Sequence, residues 1–311
     1  MLFRIGRSLG LGAFKRLTAR LGETPPIAAD AGPAVLVTML AHAHLHMYLL
    51  AAKSFLAAVG PCRVQVLDDG TLTAADHALL GHHLPGLRIL PISGVDVEGC
   101  QRGGCWERLV HVLRTAETDY VIQLDSDTLT IGPLPEIHAA IAARRGFFLA
   151  DQGCERRGML EYADWALAMV DDHINVAGER FFKSFPDAAS LHYARATGGF
   201  VGFAPGTAPL SRVLGFHARM AEMAGPRWCE WGTEQIASNF MVANTPDPVR
   251  LPADAYVNHS RATSMAKARF VHFIGSDRFH RLRYALQGRR AVARLLRAEP
   301  IAGQPVAALP G

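Results

Sequence analysis

No apolar run in this chain is long enough to cross a bilayer. The strongest stretch, residues 34–60, is interrupted by His42, His44, His46 and Lys53, whereas a spanning helix needs about 20 consecutive apolar residues. The opening MLFRIGRSLGLGAFKRL carries early Arg residues but only a broken, Gly-containing apolar region, a poor match to a secretory leader. Cysteine is scarce: five in 311 residues. An odd count without framework spacing argues against a disulfide scaffold and for reduced thiols in a cytoplasm. Cys100-x4-Cys105 lacks a second Cys or His pair at finger spacing, so no structural zinc is expected there. Repeats and low-complexity blocks are also missing, which excludes solenoid and disordered classes. With 50% hydrophobic and only 19% charged residues, the chain can bury a sizeable core.

Charge is sparse but unevenly placed. Residues 1–20 carry Arg4, Arg7, Lys15, Arg16 and Arg20 without an acid, and residues 281–297 carry Arg281, Arg283, Arg289, Arg290, Arg294 and Arg297 without one. Setting those eleven aside leaves 21 basic against 28 acidic residues, so basic ends flank an acidic body. Such ends suit peripheral contact with an anionic membrane surface, or serve simply as solvated helix faces. An acidic body without a finger or RNP signature argues against nucleic acid as partner.

Strand and helix patterns alternate. Residues 34–40 read as a strand and 45–58 as a helix. Residues 63–67 read as a second strand ending in Asp68-Asp69-Gly70, with Thr71 expected to cap the helix AADHALLGHH. Further strands are expected at 87–90, 121–124, 147–150, 199–203 and 269–273, with helices at 105–116 and 234–242. This order predicts an α/β fold: a mixed, mainly parallel Rossmann-like sheet in a single domain, with helices on both faces. The expected division is a basic segment and linker over 1–30, a main domain over 31–285, and a basic helix and tail over 286–311.

The chemistry concentrates at YVIQLDSDTLT. An apolar strand ends there in two carboxylates, Asp125 and Asp127, one residue apart. In open α/β sheets this edge is where ligands bind. Two acids so close repel unless a cation neutralises them, and a hard divalent ion with oxygen ligands is the natural partner. Far downstream, RFVHFIGSDRF brings His272, then Gly275, which permits a tight turn, then Arg278, a forked cation suited to phosphate. An alternative is the aspartate-nucleophile phosphatase pattern D-x-D-x-T, although Leu129 stands at its fifth position. The His42/His44/His46 cluster has ligand-like spacing, yet a mouth-lining or solvent-facing role fits it better than metal binding.

Taken in order, strand-DSD, TGGFVGF (197–203), EQIASN (234–239) and HFIGSDR (272–278) resemble the landmarks of family 8 glycosyltransferases. This is the glycogenin and bacterial lipopolysaccharide galactosyl/glucosyltransferase group, of GT-A fold, whose usual forms are D-x-D, N-S-G, D-Q-D-x-L-N and H-x-x-G-x-x-K. The resemblance spans residues 34–280. It implies that Asp125, Asp127 and His272 hold Mn²⁺ or Mg²⁺ on a nucleotide sugar, UDP-linked in the simplest case, with Arg278 on the diphosphate and Arg108 on a donor phosphate or the sugar. It further implies that Thr38 and Asp68 or Asp69 receive the nucleoside, that Ser126 reaches the ribose, and that Gly275 shapes the diphosphate turn. Glu234-Gln235, the expected catalytic pair, falls on the family Asp-Gln that binds the transferred sugar, and Asn239 closes that motif. Thr197-Gly198 replaces Asn-Ser, removing a sugar-binding amide, and Glu234 is one methylene longer than the family Asp. The implied activity is hexosyl transfer to a glycan or lipid-linked acceptor, with retention in the family pattern. An inverting route would need Glu234 or Asp151 as base. A non-catalytic nucleotide-sugar-binding module of the same fold is the remaining alternative.

Overall fold

The computed structural model describes residues 2–297. The first helix, α1 (Leu2–Leu17), leads into strand β1 (Ala34–Leu40), helix α2 (Leu45–Val59), β2 (Arg63–Asp68), α3 (Ala74–His83) and β3 (Arg88–Pro91). Helix α4 (Trp106–Thr115) then precedes β4 (Tyr120–Leu124), β5 (Thr128–Thr130), α5 (Pro135–Ala142) and β6 (Phe147–Ala150). A largely helical insert follows: β7 (Arg157–Gly158), α6 (Met159–Ala168), α7 (Ile174–Arg180) and β8 (His192–Tyr193). The chain continues through β9 (Ala196–Phe203), α8 (Leu210–Ala224), α9 (Thr233–Ala243), β10 (Val249–Arg250), β11 (Tyr256–Asn258), β12 (Phe270–His272) and α10 (Arg283–Leu296).

The central sheet runs β10-β6-β9-β4-β1-β2-β3. It is parallel except that β9 lies antiparallel between β4 and β6. Successive strands β1, β2 and β3 step outward, and β4 then returns to the other side of β1. That reversal is a topological switch point, where loops diverge and leave a crevice at the carboxyl ends. Strand alternation divides the core: Leu36 and Ile122 join one cluster with α2 and α10, while Val35, Val37 and Val121 join the other with α4, α8 and α9.

A second sheet, β11-β12-β5, places the distant His272 strand. Strand β12 pairs antiparallel with β5 in a register that sets His272 opposite Thr128, the residue after Asp127.

Local expectations hold with two adjustments. Helix α3 is capped by Thr73 rather than Thr71. The Thr73 hydroxyl accepts from Asp76 N at 3.2 Å and the Asp76 carboxylate accepts from Thr73 N at 2.8 Å, a reciprocal capping box that Thr71 lies too early to make. The basic ends are not free arms. Helices α1 and α10 pack together, with Phe14 and Tyr284 ring centroids 4.2 Å apart. Gly288 permits this approach, since a Cβ there would lie 2.8 Å from Thr18 Cγ2. The predicted tail beyond residue 297 lies outside the described residues.

Candidate active site

Strand β4 delivers Asp125 and Asp127 to the sheet edge, and the β5–β12 pairing delivers His272. Ligand atoms from these three residues all lie within 4.8 Å of one another. His272 Nε2 is 3.2 Å from Asp127 Oδ1 and 3.9 Å from Asp125 Oδ2. Its other nitrogen, Nδ1, faces Asn258 Oδ1 at 3.3 Å and Thr197 Oγ1 at 3.2 Å. Asn258 Nδ2 donates to Asp151 Oδ1 at 3.0 Å, so the amide turns its carbonyl oxygen toward the imidazole. An Nδ1 proton donated to that oxygen leaves Nε2 as the free lone pair, the usual arrangement behind a metal-binding histidine. Two carboxylates and such an imidazole fit a hard divalent ion.

Two arginines balance the acids. Arg108, on the buried face of α4, donates from Nη1 to Asp125 Oδ1 and from Nη2 to Glu234 Oε1 at 3.3 Å. Arg278 Nη2 donates to Asp127 Oδ2 at 2.5 Å while its Nε donates to the Phe273 carbonyl at 3.0 Å. Burial would raise the Asp127 carboxyl, but His272 and Arg278 outweigh it and hold Asp127 below the usual range. For Glu234 the balance reverses: burial pushes its carboxyl up to about 7 against the pull of Arg108.

Glycine makes the close packing possible. A Cβ on Gly199 would fall 2.7 Å from His272 Nε2 and 2.9 Å from Asp125 Oδ2. Gly198 offers its carbonyl to the fully buried Gln123 amide, which locks β9 onto β4. Gly275 takes a left-handed φ of 58°, a conformation in which most side chains are strained.

These groups open into a cavity of about 610 Å³, within the range of small-ligand sites. Of the residues singled out from sequence, Arg108, Asp125, Asp127, Thr197, Gly198, Glu234, Gln235, Asn239, His272, Gly275 and Arg278 line it. Thr38, Asp68, Asp69 and Ser126 do not line it. Thr38 is fully buried in β1. Asp68 accepts from Gly70 N at 2.8 Å, and Asp69 accepts from Thr71 Oγ1 at 2.6 Å, so both shape the turn after β2. Ser126 offers its carbonyl to the Tyr284 hydroxyl at 3.5 Å. The histidines after β1 diverge: His42 pairs with Asp76 at 2.6 Å and His46 with Thr18 at 2.7 Å. Among the described residues, Asp125, Asp127 and His272 are the group with metal-ligand geometry.

Sequence reasoning missed Gly199, Asn258, Glu179 and Asn175. A glycine inside a strand often marks close approach, so Gly199 was readable in principle. The others sit in segments without a motif.

No family model matches the chain, and no curated protein matches it in sequence. Solved structures do. The LgtC galactosyltransferase, solved with donor and acceptor sugar analogues, superposes with a TM-score of 0.50 at 14% identity over 88% of this chain and 98% of its own. The glycosyltransferase GlyE of Streptococcus pneumoniae TIGR4 gives 0.51 at 11% identity over 87% of this chain and 65% of its own. The apo WbbM bifunctional glycosyltransferase gives 0.50 at 14% identity over 84% of this chain; the chain spans about half of WbbM, 53%. The fold is that of the GT-A glycosyltransferases, with Asp125 and Asp127 supplying the Asp-x-Asp site.

Proposed function

We propose that the protein is a metal-dependent glycosyltransferase that moves a hexose from a nucleotide sugar, UDP-linked in the simplest case, to a glycan or lipid-linked acceptor. One observation carries the reading: the Asp125, Asp127 and His272 ligand atoms converge within 4.8 Å at the edge of the cavity. When bound, Mn²⁺ or Mg²⁺ would act as a Lewis acid, neutralising charge on the leaving diphosphate. The chain's own groups do the rest. Asn258 holds His272 in the tautomer that binds, while Arg278 and Arg108 border the cavity as forked donors for phosphate oxygens. Glu234 and Gln235, at the start of α9, face the same space as groups for the transferred ring. Retention of anomeric configuration belongs to this reading through the family resemblance.

The packed pair α1 and α10 supports a further part of it. Lys15, Arg16, Arg281, Arg289 and Arg290 are exposed there, beside exposed Leu9, Leu282 and Leu286. Such a surface suits peripheral attachment to an anionic leaflet from a cytoplasmic location.

Donor hydrolysis tests the main claim. With Mn²⁺ and a panel of nucleotide sugars, the wild type should release nucleoside diphosphate, and chelation should abolish release. Binding of UDP or GDP with no turnover of any sugar would mark a non-catalytic module instead. Co-sedimentation with phosphatidylserine vesicles tests the attachment, which loss of residues 1–20 should weaken.

A further inference from the structure

The cavity wall holds polar groups that the metal centre leaves unused. Helix α7 approaches α9 at Gly178, where a Cβ would come within 2.6 Å of Ile236 Cδ1. Side chains of α7 therefore line the same cavity as Glu234 and Gln235. Glu179 is 1% exposed and lines this wall. Its Oε1 accepts from Arg195 Nε at 2.9 Å. The Arg195 guanidinium lies over the Trp165 ring, 3.9 Å from its centroid, so the arginine is held from two sides and fixes the carboxyl. The other oxygen, Oε2, is buried with no hydrogen-bond partner of good geometry, while the nearby Tyr193 hydroxyl helps hold the carboxyl down.

Asn175 stands four residues earlier on the same helix, hence on the same face. Its Oδ1 is also buried and without a partner. Gly232 leaves room for this amide, since a Cβ there would lie 2.9 Å from Oδ1. The wall also includes the buried Tyr193, whose hydroxyl accepts from Asn239 Nδ2 at 3.4 Å.

A buried acceptor without a donor is destabilising, and native structures keep few of them. Two in one wall of an open cavity call for a ligand that supplies donors. A phosphate would set negative charge against Glu179. A ring bearing several hydroxyls offers O–H donors at the spacing of neighbouring carbons and carries no charge.

We propose that Glu179 and Asn175 form a hydroxyl-binding subsite, holding a sugar ring by O–H donation to Glu179 Oε2 and Asn175 Oδ1, and that Glu179 thereby selects which sugar is accepted. The inference rests on the glycosyltransferase reading and deepens it. The ring is either the one transferred from the nucleotide or that of the acceptor. Both present the same chemistry, and the experiment separates them.

Calorimetry with Mn²⁺ provides the test, on wild type, Glu179→Gln and Asn175→Ala. The first arm uses UDP and GDP alone. The second uses UDP-glucose, UDP-galactose and GDP-mannose, with analogues in which each ring hydroxyl in turn is replaced by fluorine, which accepts but cannot donate. The third uses methyl hexosides and their fluoro analogues, with and without the nucleoside diphosphate. Both variants should bind the nucleoside diphosphates within about twofold of wild type, because neither residue contacts Asp125, Asp127, His272 or Arg278 through a hydrogen bond or ion pair. At one ring position the wild type should bind the fluoro analogue on the order of 100-fold more weakly than the parent sugar, a penalty of the kind paired hydroxyls show. Glu179→Gln should shrink that penalty about tenfold, since its amide presents a donor where the carboxylate presented an acceptor. Asn175→Ala, at a half-buried residue, should do the same at a neighbouring hydroxyl and tests the same wall independently of Glu179. The effect in the second arm identifies the transferred ring; in the third arm only, the acceptor ring. Identical fluorine penalties in all three proteins, in both sugar arms, would overturn the subsite. Failure of the wild type to bind either nucleoside diphosphate would overturn the glycosyltransferase reading instead, and the methyl hexosides without nucleotide would still decide the subsite.

Discussion

Lys53 and Arg108 are both buried cations, on helices covering opposite faces of the sheet, and their partners differ in kind. Lys53 is fully buried and donates to the Thr24 and Pro25 carbonyls at 3.3 and 2.7 Å, with His83 Nδ1 at 3.0 Å. Burial lowers its ammonium pKa to about 8. Every partner is a neutral group inside the protein, so Lys53 works as a latch that ties the segment after α1 to α2. Arg108 meets two carboxylates, Asp125 and Glu234, which raise its pKa despite burial, and its Nε has no partner. Those carboxylates face an open cavity. A buried charge satisfied by backbone serves the fold, whereas one satisfied by acids at a sheet edge holds charge ready for a ligand.

Breaking each side of this contrast should have a different readout. The largest effect is expected at the acids: Asp127→Ala should lower donor turnover by about 3–4 kcal/mol in activation free energy, the scale of a single electrostatic contributor, measured as kcat/KM with Mn²⁺. Next comes a pH effect at Glu179, whose carboxyl burial pushes up to about 7 although Arg195 pulls it down. Because its folded pKa lies above the unfolded value of 4.5, the folded state binds the extra proton between those values. The contribution of this group to stability is therefore full below about pH 4.5 and is lost as pH rises to about 7. Glu179→Gln should accordingly gain up to ~3 kcal/mol over wild type at pH 7.5 and nothing at pH 4.5, measured by denaturant unfolding at the two pH values. A gain independent of pH would contradict the burial of that charge.

Lys53→Met should act on stability alone. Two carbonyls lose their donor, at a cost of about 2 kcal/mol, lowering Tm by ~5 °C while kcat/KM below the melting range stays at the wild-type value. A matching loss of activity would join the latch to the site and dissolve the contrast. The smallest effect sharpens the metal side: Asn258→Ala removes the oxygen facing His272 Nδ1 and should weaken Mn²⁺ about tenfold in titration, with Tm little changed.

The legibility of the sequence varied along the chain. Strands β1, β4 and β6 were readable as short, mostly apolar runs bounded by turn formers, and β2 by its alternation of polar and apolar residues. The DSD pair was readable as a ligand site because charges at the end of a buried strand need a cation. His272 could be joined to that pair from sequence only through family landmarks. Its proximity depends on the small β11-β12-β5 sheet, whose three-residue strands carry little pattern of their own. The insert with α6 and α7 was not read at all. Glu179 and Asn175 look like ordinary polar positions on a short helix until Gly178 is seen against Ile236.

Thr38 and the Asp68-Asp69 pair show how little of a side chain's surroundings a sequence position gives. Asp68 ends β2 as expected, whereas Thr38 lies buried inside β1, which runs on to Leu40; the two acids accept hydrogen bonds within the turn after β2. Sequence by itself determined the alternation of strands and helices, the acids at the end of β4 and the basic ends, because these follow from local periodicity and charge. Tertiary structure alone decided which distant groups share a cavity, which arginine balances which acid, and which acceptors remain without donors. Those outcomes depend on strand register and helix approach, set by packing between residues far apart in the chain.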